Sequence, residues 1–234
     1  TTVTAAPGYP ELAVNNLAKL TGMPFKNSAD LIAATSDCGA YQTLSSAIKG
    51  LAVKMTKICN DIRLLASGPR CGLKEINLPQ LQPGSSIMPG KVNPVAAEVA
   101  NQASFLAIGL DTTVMLAASA GQLELNVMEP VITYALYTQM KVMTNACNTL
   151  RTKLVDGVTA NTERCKEYVM NSIGIVTLLK PHFGYQKCAA IAKEGYTTGK
   201  SLHQIVVDEQ HLLSQAEWDA IFNTQNLINP KFVK

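Results

Sequence analysis

Between residues 44 and 65 the chain repeats apolar residues at alternating steps of four and three: Leu44, Ile48, Leu51, Met55, Ile58, Ile62 and Leu65. Side chains three and four apart share one face of an α-helix, so this run draws an apolar stripe that another helix must cover. A strand, with its period of two, cannot produce it. The helix reads from near Ala29 to the Gly68-Pro69 pair, where proline cannot continue it and glycine relaxes its end. A second long helix is expected from about Pro94, a residue suited to a first turn, to about Ala120. A third starts near Glu129-Pro130 and carries Ile132, Leu136, Met143, Ala146, Leu150 and Leu154. Helices of this length indicate a bundle.

Before them, a short helix from Glu11 to Leu20 is stopped by Gly22 and Pro24. Past Gly157 the texture changes. Shorter helical segments read at about 161–170, 172–179, 185–194, 201–208 and 214–222, punctuated by Pro181, Gly184, Gly195 and Gly199. Ser214 and Glu217 have the spacing of a capping box. The expected fold class is therefore all-α: a long-helix bundle over residues 1–157, then a small helical C-terminal domain over 158–234. The first residues, Thr1-Thr2-Val3-Thr4, include no methionine, which suggests a piece of a longer protein.

Composition narrows the function classes. Of the 234 residues, 47% are hydrophobic and 16% charged, which suits extensive buried surface and argues against disorder. The net charge of +3 is small and the lysines are dispersed, so no nucleic-acid partner is expected. Six cysteines form no CxxC pair, as in a cytoplasmic protein whose reduced thiols pack as small apolar groups. His182, His203 and His211 lack ligand spacing, so no metal site is expected. The apolar stretch from Val95 to Ala118 is interrupted by Glu98, Asn101, Gln102 and Asp111; it reads as a bundle helix, and no membrane span is expected.

One segment fits none of this. Residues 84–94, GSSIMPGKVNP, form a Gly/Pro/Ser loop between the first two long helices. It is not a phosphate-binding loop, because five residues separate Gly84 from Gly90-Lys91 and Val92 follows the lysine. It is not a hydrolase elbow either, since GxSxG is absent. A plain linker would not intersperse Ile87, Met88 and Val92 with a lone lysine. Those residues suggest a loop that docks, and docking loops on rigid scaffolds often carry function.

GSSIMPGKVNP resembles the signature of the fumarase/aspartase superfamily. The segment KICNDIRLLASGPRCGLKEINLP before it, GQLELNVMEPVI at 121–132, and NSIGIVTLL, KPHFGY and TGKSL after residue 170 extend the resemblance over nearly the whole chain. INLP, LNVMEPVI and NSIGIVT are similar to the aspartate ammonia-lyases rather than the fumarases. The resemblance implies reversible elimination of ammonia from L-aspartate to give fumarate, with no cofactor required for the chemistry. It implies a homo-oligomer, most often a tetramer, whose sites are shared between subunits.

It also assigns residues. Ser85 becomes the base. Serine can serve only as a stabilised alkoxide, and a loop with Gly84 and Gly90 can supply backbone N–H groups while Lys91 supplies charge. Lys91 and Asn93 are placed on the substrate carboxylate. Ser86 either assists or is a loop hydroxyl held by backbone. Glu98 either lies near the active site, pairing with Lys91 or orienting a neighbour, or is a satisfied carboxylate at a helix N-terminus. Glu124, Asn126 and Glu129 read as polar groups bonded where helices meet, and Arg70 as an ion-pairing residue under the loop. The superfamily's Thr-Ser-Ser and His-Thr substrate-binding blocks are not in this chain, so the resemblance implies the C-terminal half of such an enzyme, inactive alone. Fumarate hydratase and a non-catalytic helical assembly module stay open as alternatives.

Overall fold

A computed structural model describes residues 5–84 and 87–229. The chain divides into two compact units, Thr1–Thr159 and Ala160–Lys234. Both are helical, and among the described residues the only ladder is a two-residue pairing of Ile76–Asn77 with the segment that begins at Thr159.

The first unit holds α1 (Tyr9–Thr21), a single turn α2 (Ala33–Ser36), and three long helices: α3 (Gly39–Leu65), α4 (Val95–Ser119) and α5 (Glu129–Lys153). The second and third long helices start and stop where proline and glycine signals predict. The first does not, because α3 begins at Gly39 rather than near Ala29. Asp30 Oδ1 accepts the N–H groups of Ile32 and Ala33, which starts a separate turn. Asp37 is extended (φ −79°, ψ 114°), and its Oδ1 accepts from Gly39 N at 2.9 Å. Short acidic side chains thus offer the backbone an alternative to a continuous helix.

α4 packs against both α3 and α5, which also meet each other. The reason is residue size. The inner face of α4 is Ala96, Ala97, Ala100, Ser104, Ala107 and Ala117, all buried, so two neighbours can approach its backbone. One apolar cluster joins Ala52, Met55 and Cys59 of α3 to Ala97 and Ala100 of α4 and to Met143 and Leu150 of α5. A second joins Cys38, Val114, Ala117, Ile132, Ala135 and Leu136. Burial raises the Cys38 and Cys59 thiols above their ordinary pKa.

A polar group also bridges the helices. Asp111, which the sequence shows only as an interruption in an apolar stretch, is buried on α4. Its carboxylate accepts from Ser45 Oγ at 2.8 Å, Ser46 Oγ at 3.3 Å and Lys49 Nζ at 2.5 Å, all on α3. On α5, the fully buried Gln139 donates through Nε2 at 2.9 Å to the carbonyl of Ala107, one turn before Asp111 on α4. The helix that carries Asp111 is apolar and long enough to cross a membrane by length and composition. Here its polar residues Asn101, Ser104 and Asp111 are instead buried against its neighbours.

The stripe from Leu44 to Leu65 divides in two. Met55 is buried, and Ile48 and Ile62 pack against the core. Leu44, Leu51 and Ile58, seven residues apart on the adjoining edge, are 45%, 47% and 53% exposed. The faces of α3 that the bundle buries are completed instead by the small residues Ser45, Ala52 and Cys59. Helix α1 buries none of its residues.

The second unit contains α6 (Thr162–Met170), a 3₁₀ segment (Ile173–Leu179), α7 (Lys180–Thr198), a π-helical turn (Gln204–Glu209), α8 (Gln215–Ile221) and α9 (Thr224–Ile228). α7 is kinked at Gly184, whose φ of 72° and ψ of 169° suit a residue without a Cβ. The unit's core is Leu179, Ile191, Leu202, Ile205, Val206, Trp218 and Phe222, with Trp218 stacked on Phe222 at 3.9 Å. The capping box is present: Glu217 N donates to Ser214 Oγ and Ser214 N to Glu217 Oε2. The short helix α9 has no counterpart in the sequence reading.

Two outcomes follow. Burial alone would raise the Asp111 pKa, but the bonds from Lys49, Ser45 and Ser46 outweigh it and hold the carboxyl below the usual range. A depressed folded-state pKa contributes stability above the unfolded value of about 3.9 and loses it as pH falls through the folded value. Asp111→Asn should therefore destabilise the chain by about 1–3 kcal/mol at neutral pH, and this deficit against wild type should shrink below about pH 4. Urea titrations of both proteins across pH check this. The exposed row Leu44, Leu51 and Ile58 should drive association: light scattering at tens of micromolar should exceed the monomer mass, and Leu51→Lys should lower it without loss of helicity by circular dichroism.

Candidate active site

Residues 66–94 join the end of α3 to the start of α4, and the loop of residues 84–94 is the last part of that connection. At the α3 end the chain turns back on itself. Glu75 N donates to the Leu65 carbonyl at 2.9 Å, Lys74 N to the Ser67 carbonyl at 2.8 Å, and Ser67 Oγ to the Leu64 carbonyl at 2.6 Å. These bonds satisfy carbonyls that a helix C-terminus otherwise leaves open. Gly72 lies flat on the Ser67-Gly68 peptide, and a Cβ there would sit 2.4–2.5 Å from main-chain atoms. Farther on, Pro79 meets Gly157, where a Cβ would lie 2.6 Å from the proline ring. The segment INLP is thereby pinned against the end of the helical bundle.

The loop then closes on itself. Gly84 rests against the Gly90-Lys91 backbone: a Cβ on Gly84 would come within 3.1 Å of Gly90 N and the Lys91 carbonyl oxygen, both main-chain atoms. Gly90 has a φ of 81°, in the left-handed region that glycine enters freely. Lys91 N donates to the Met88 carbonyl at 3.2 Å. Gly84 and Gly90, the two glycines of the loop, are thus neighbours in space.

Ser85 and Ser86 lie outside the described residues. Lys91 is exposed, Asn93 half-buried, and α4 follows directly. Glu98 is half-buried in the first turns of α4, its N–H bonded to the Pro94 carbonyl. Among the described residues no ion pair joins Glu98 to Lys91, and none involves Arg70, which is exposed. The expected ion pair of Arg70 is therefore not found there: its position on an exposed turn leaves the side chain in solvent.

Asn126 is a structural clamp. It is buried, donates through Nδ2 to the Ala117 carbonyl at 3.0 Å, and accepts from Met128 N at 2.8 Å. The Glu124 carbonyl accepts from Thr35 Oγ1 at 2.7 Å. These bonds fix the LELNVMEP segment between helices; the Asn126 side chain is bonded where helices meet, as expected, whereas Glu124 and Glu129 are exposed.

Beside the loop is a cavity of about 480 Å³. One wall is Arg63, Ser67, Gly68 and Lys74, from the end of α3 and its turn; the other is Met88 to Val92 and Pro94, from the loop; Leu78 also contributes. Arg63, Lys74 and Lys91 bring three cations to it. The sequence reading singled out only the last, because Arg63 and Lys74 stand in a helix end and a turn with nothing local to distinguish them. Among the described residues no three His, Cys, Asp or Glu side chains gather as metal ligands. An array of cations with hydrogen-bond donors at a glycine-flanked loop can bind carboxylates and stabilise negative charge that develops on them.

The chain is similar to known proteins over nearly its whole length. A lyase family model matches residues 1–109 and a model described as the fumarase C C-terminus matches residues 175–229. Aspartate ammonia-lyase of Escherichia coli (strain K12) is 57% identical over 224 residues, covering 96% of this chain and 47% of that protein. Aspartate ammonia-lyase of Helicobacter pylori (strain ATCC 700392 / 26695) is 50% identical over 234 residues, covering 100% of this chain and 50% of that protein. Among solved structures, a fumarate lyase:delta crystallin from Brucella melitensis superposes with a TM-score of 0.89 at 42% identity, covering 94% of this chain and 47% of the other. A class II fumarase from Schistosoma mansoni superposes with a TM-score of 0.88 at 32% identity, covering 97% and 50%. The chain spans about half the length of the curated relatives it matches. With its all-α fold, its glycine-closed signature loop and its likeness to the aspartate ammonia-lyases, the chain belongs to the fumarase/aspartase superfamily.

Proposed function

We propose that this chain is part of an aspartate ammonia-lyase, a carbon–nitrogen lyase that converts L-aspartate reversibly to fumarate and ammonia. The observation that carries the reading is the loop whose Gly84 and Gly90 ends meet at Lys91, beside a cavity rich in cations. Its sequence and the 57% and 50% identity to enzymes of that name support the choice of substrate.

The chemistry sets the roles. A base removes a proton from the carbon beside the β-carboxylate. The C–H electron pair moves onto that carboxylate as an aci-carboxylate, then returns to form the double bond as the C–N bond breaks and ammonia leaves. The difficult step adds a second negative charge to a group that is already an anion, so cations aimed at its oxygens contribute most in the transition state. In this reading Ser85 is the base. Lys91 and Asn93 hold the carboxylate, with Ser86 and Glu98 beside them. Gly84 and Gly90 allow the backbone to close around the alkoxide.

The remaining substrate contacts come from segments outside this chain, in a homo-oligomer that we take to be a tetramer with shared sites. The exposed apolar row of α3 and the exposed Phe105, Leu106 and Leu116 of α4 support such an assembly. A cytoplasmic setting belongs to the same reading, supported by thiols such as Cys59 and Cys188 that are buried as apolar groups. A second reading, fumarate hydration, is favoured by the likeness to the Schistosoma mansoni fumarase. Ammonia release from aspartate against water addition to fumarate separates the two.

In the complete polypeptide that carries this chain, Ser85→Ala should lower the maximal rate about a hundredfold or more while leaving apparent affinity near normal. Lys91→Ala should lower both, because it removes charge from bound substrate and transition state alike. Steady-state kinetics with circular dichroism and sizing check this. Near-normal turnover of the Ser85 variant would remove that residue from the mechanism.

A further inference from the structure

We infer that Asn101 is a positioning residue: its bond to Asn60 holds the first turns of α4 against the last turns of α3, and so sets where Lys91 and Asn93 of the loop stand. The catalytic consequence of this tether rests on the lyase reading; the tether itself does not.

Stability does not account for an asparagine at this position. Asn101 is 3% exposed and lies in the second turn of α4, among the buried Ala96, Ala97, Ala100 and Ser104. Its Nδ2 donates to Asn60 Oδ1 of α3 at 2.8 Å. Its Oδ1 is buried and, among the described residues, accepts no bond. A buried polar atom without a partner loses its hydration and gains nothing in return. The other polar groups of the same helix show the alternative. Ser104 Oγ donates to the Ala100 carbonyl at 2.8 Å, and the Asp111 carboxylate accepts from Ser45, Ser46 and Lys49. Asn60 is exposed, so water serves its oxygen where Asn101 does not. An alanine at 101 would continue the small inner face of α4 and leave no orphan atom.

Its place in the fold does account for it. The loop runs directly into α4, and the Glu98 N–H bond to the Pro94 carbonyl at 3.1 Å carries the helix back to the last residue of the loop. A shift of α4 along α3 therefore moves Asn93 and Lys91 with it. Alanine faces slide on one another at little cost, and Asp111, the other polar tie between these two helices, lies farther along α4. Asn60 Oδ1 also accepts from Arg63 Nη1 at 3.5 Å, and Arg63 lines the cavity that the loop faces. One oxygen thus joins the helix that carries the loop to the wall opposite. Displacing a reacting group by about 1 Å costs about a hundredfold in rate, so a partial loss of this register is felt in turnover.

The test is a double-mutant cycle in the complete polypeptide that carries this chain, with steady-state kinetics on whichever of aspartate or fumarate the wild type turns over. Asn101→Ala and Asn60→Ala should each lower kcat about tenfold or more, with a much smaller change in KM. The double variant should fall no further than the slower single one, because the two residues act as a unit. Asn60→Asp keeps an acceptor for Asn101 Nδ2 and should keep the wild-type rate. Hydrogen exchange gives a readout without turnover: amides of residues 95–101 should exchange faster in both alanine variants than in wild type or Asn60→Asp. Circular dichroism confirms folding, and the two substitutions at the exposed Asn60 carry the test if Asn101→Ala does not fold. Normal kcat in a folded alanine variant, additive losses in the double variant, an Asn60→Asp rate as low as that of Asn60→Ala, or unchanged exchange would overturn the inference. A wild type that turns over neither substrate counts against the lyase reading alone, and exchange then decides the tether.

Discussion

The close approach of three long helices around the small inner face of α4 governs the rest of the first unit. Alanine at 96, 97, 100 and 107 leaves no side chain to hold α3 and α5 away. Packing then sets where the end of α3 and the start of α4 lie in space, and those two points are the roots of the connection, residues 66–94, that carries the loop. A larger residue on that face would push the roots apart, and close-packed interiors transmit such strain rather than absorb it.

Close approach alone does not fix the register of one helix against another, because an alanine face is nearly featureless. The buried Asp111 supplies the missing specificity. Its carboxylate takes three bonds from one turn of α3, and sliding either helix would leave a charge buried without partners. Gln139 does the same for α5 through the Ala107 carbonyl. The polar residues that interrupt an otherwise apolar sequence are therefore what align the loop's two ends.

At the loop, geometry is set by glycine and proline rather than by side-chain chemistry. Gly72 lets the main chain turn back over the end of α3, Gly157 admits Pro79, and Gly84 admits the Gly90-Lys91 peptide. Each is a place where a Cβ would meet atoms too closely. Together they bring Lys91 to the same cavity as Arg63 and Lys74.

Much of this was legible before any coordinates. The 4/3 spacing specified helices. Pro94, Pro130 and the Ser214–Glu217 pair marked starts, and the eleven residues from Gly84 to Pro94 marked the loop and its superfamily. These are local signals, carried by neighbours within a turn or two. Three things needed the tertiary structure. The break at Asp37 depends on side chains competing with the helix for backbone N–H groups, where the apolar pattern reads as continuous. The division of the stripe into a buried edge and an exposed edge depends on which neighbours α3 meets, and periodicity is blind to neighbours. The gathering of Arg63, Lys74 and Lys91 depends on a turn that folds back across a helix end. Sequence by itself determined what each segment could be; only packing decided which segments face one another, because contact energies belong to pairs of surfaces and not to either surface alone.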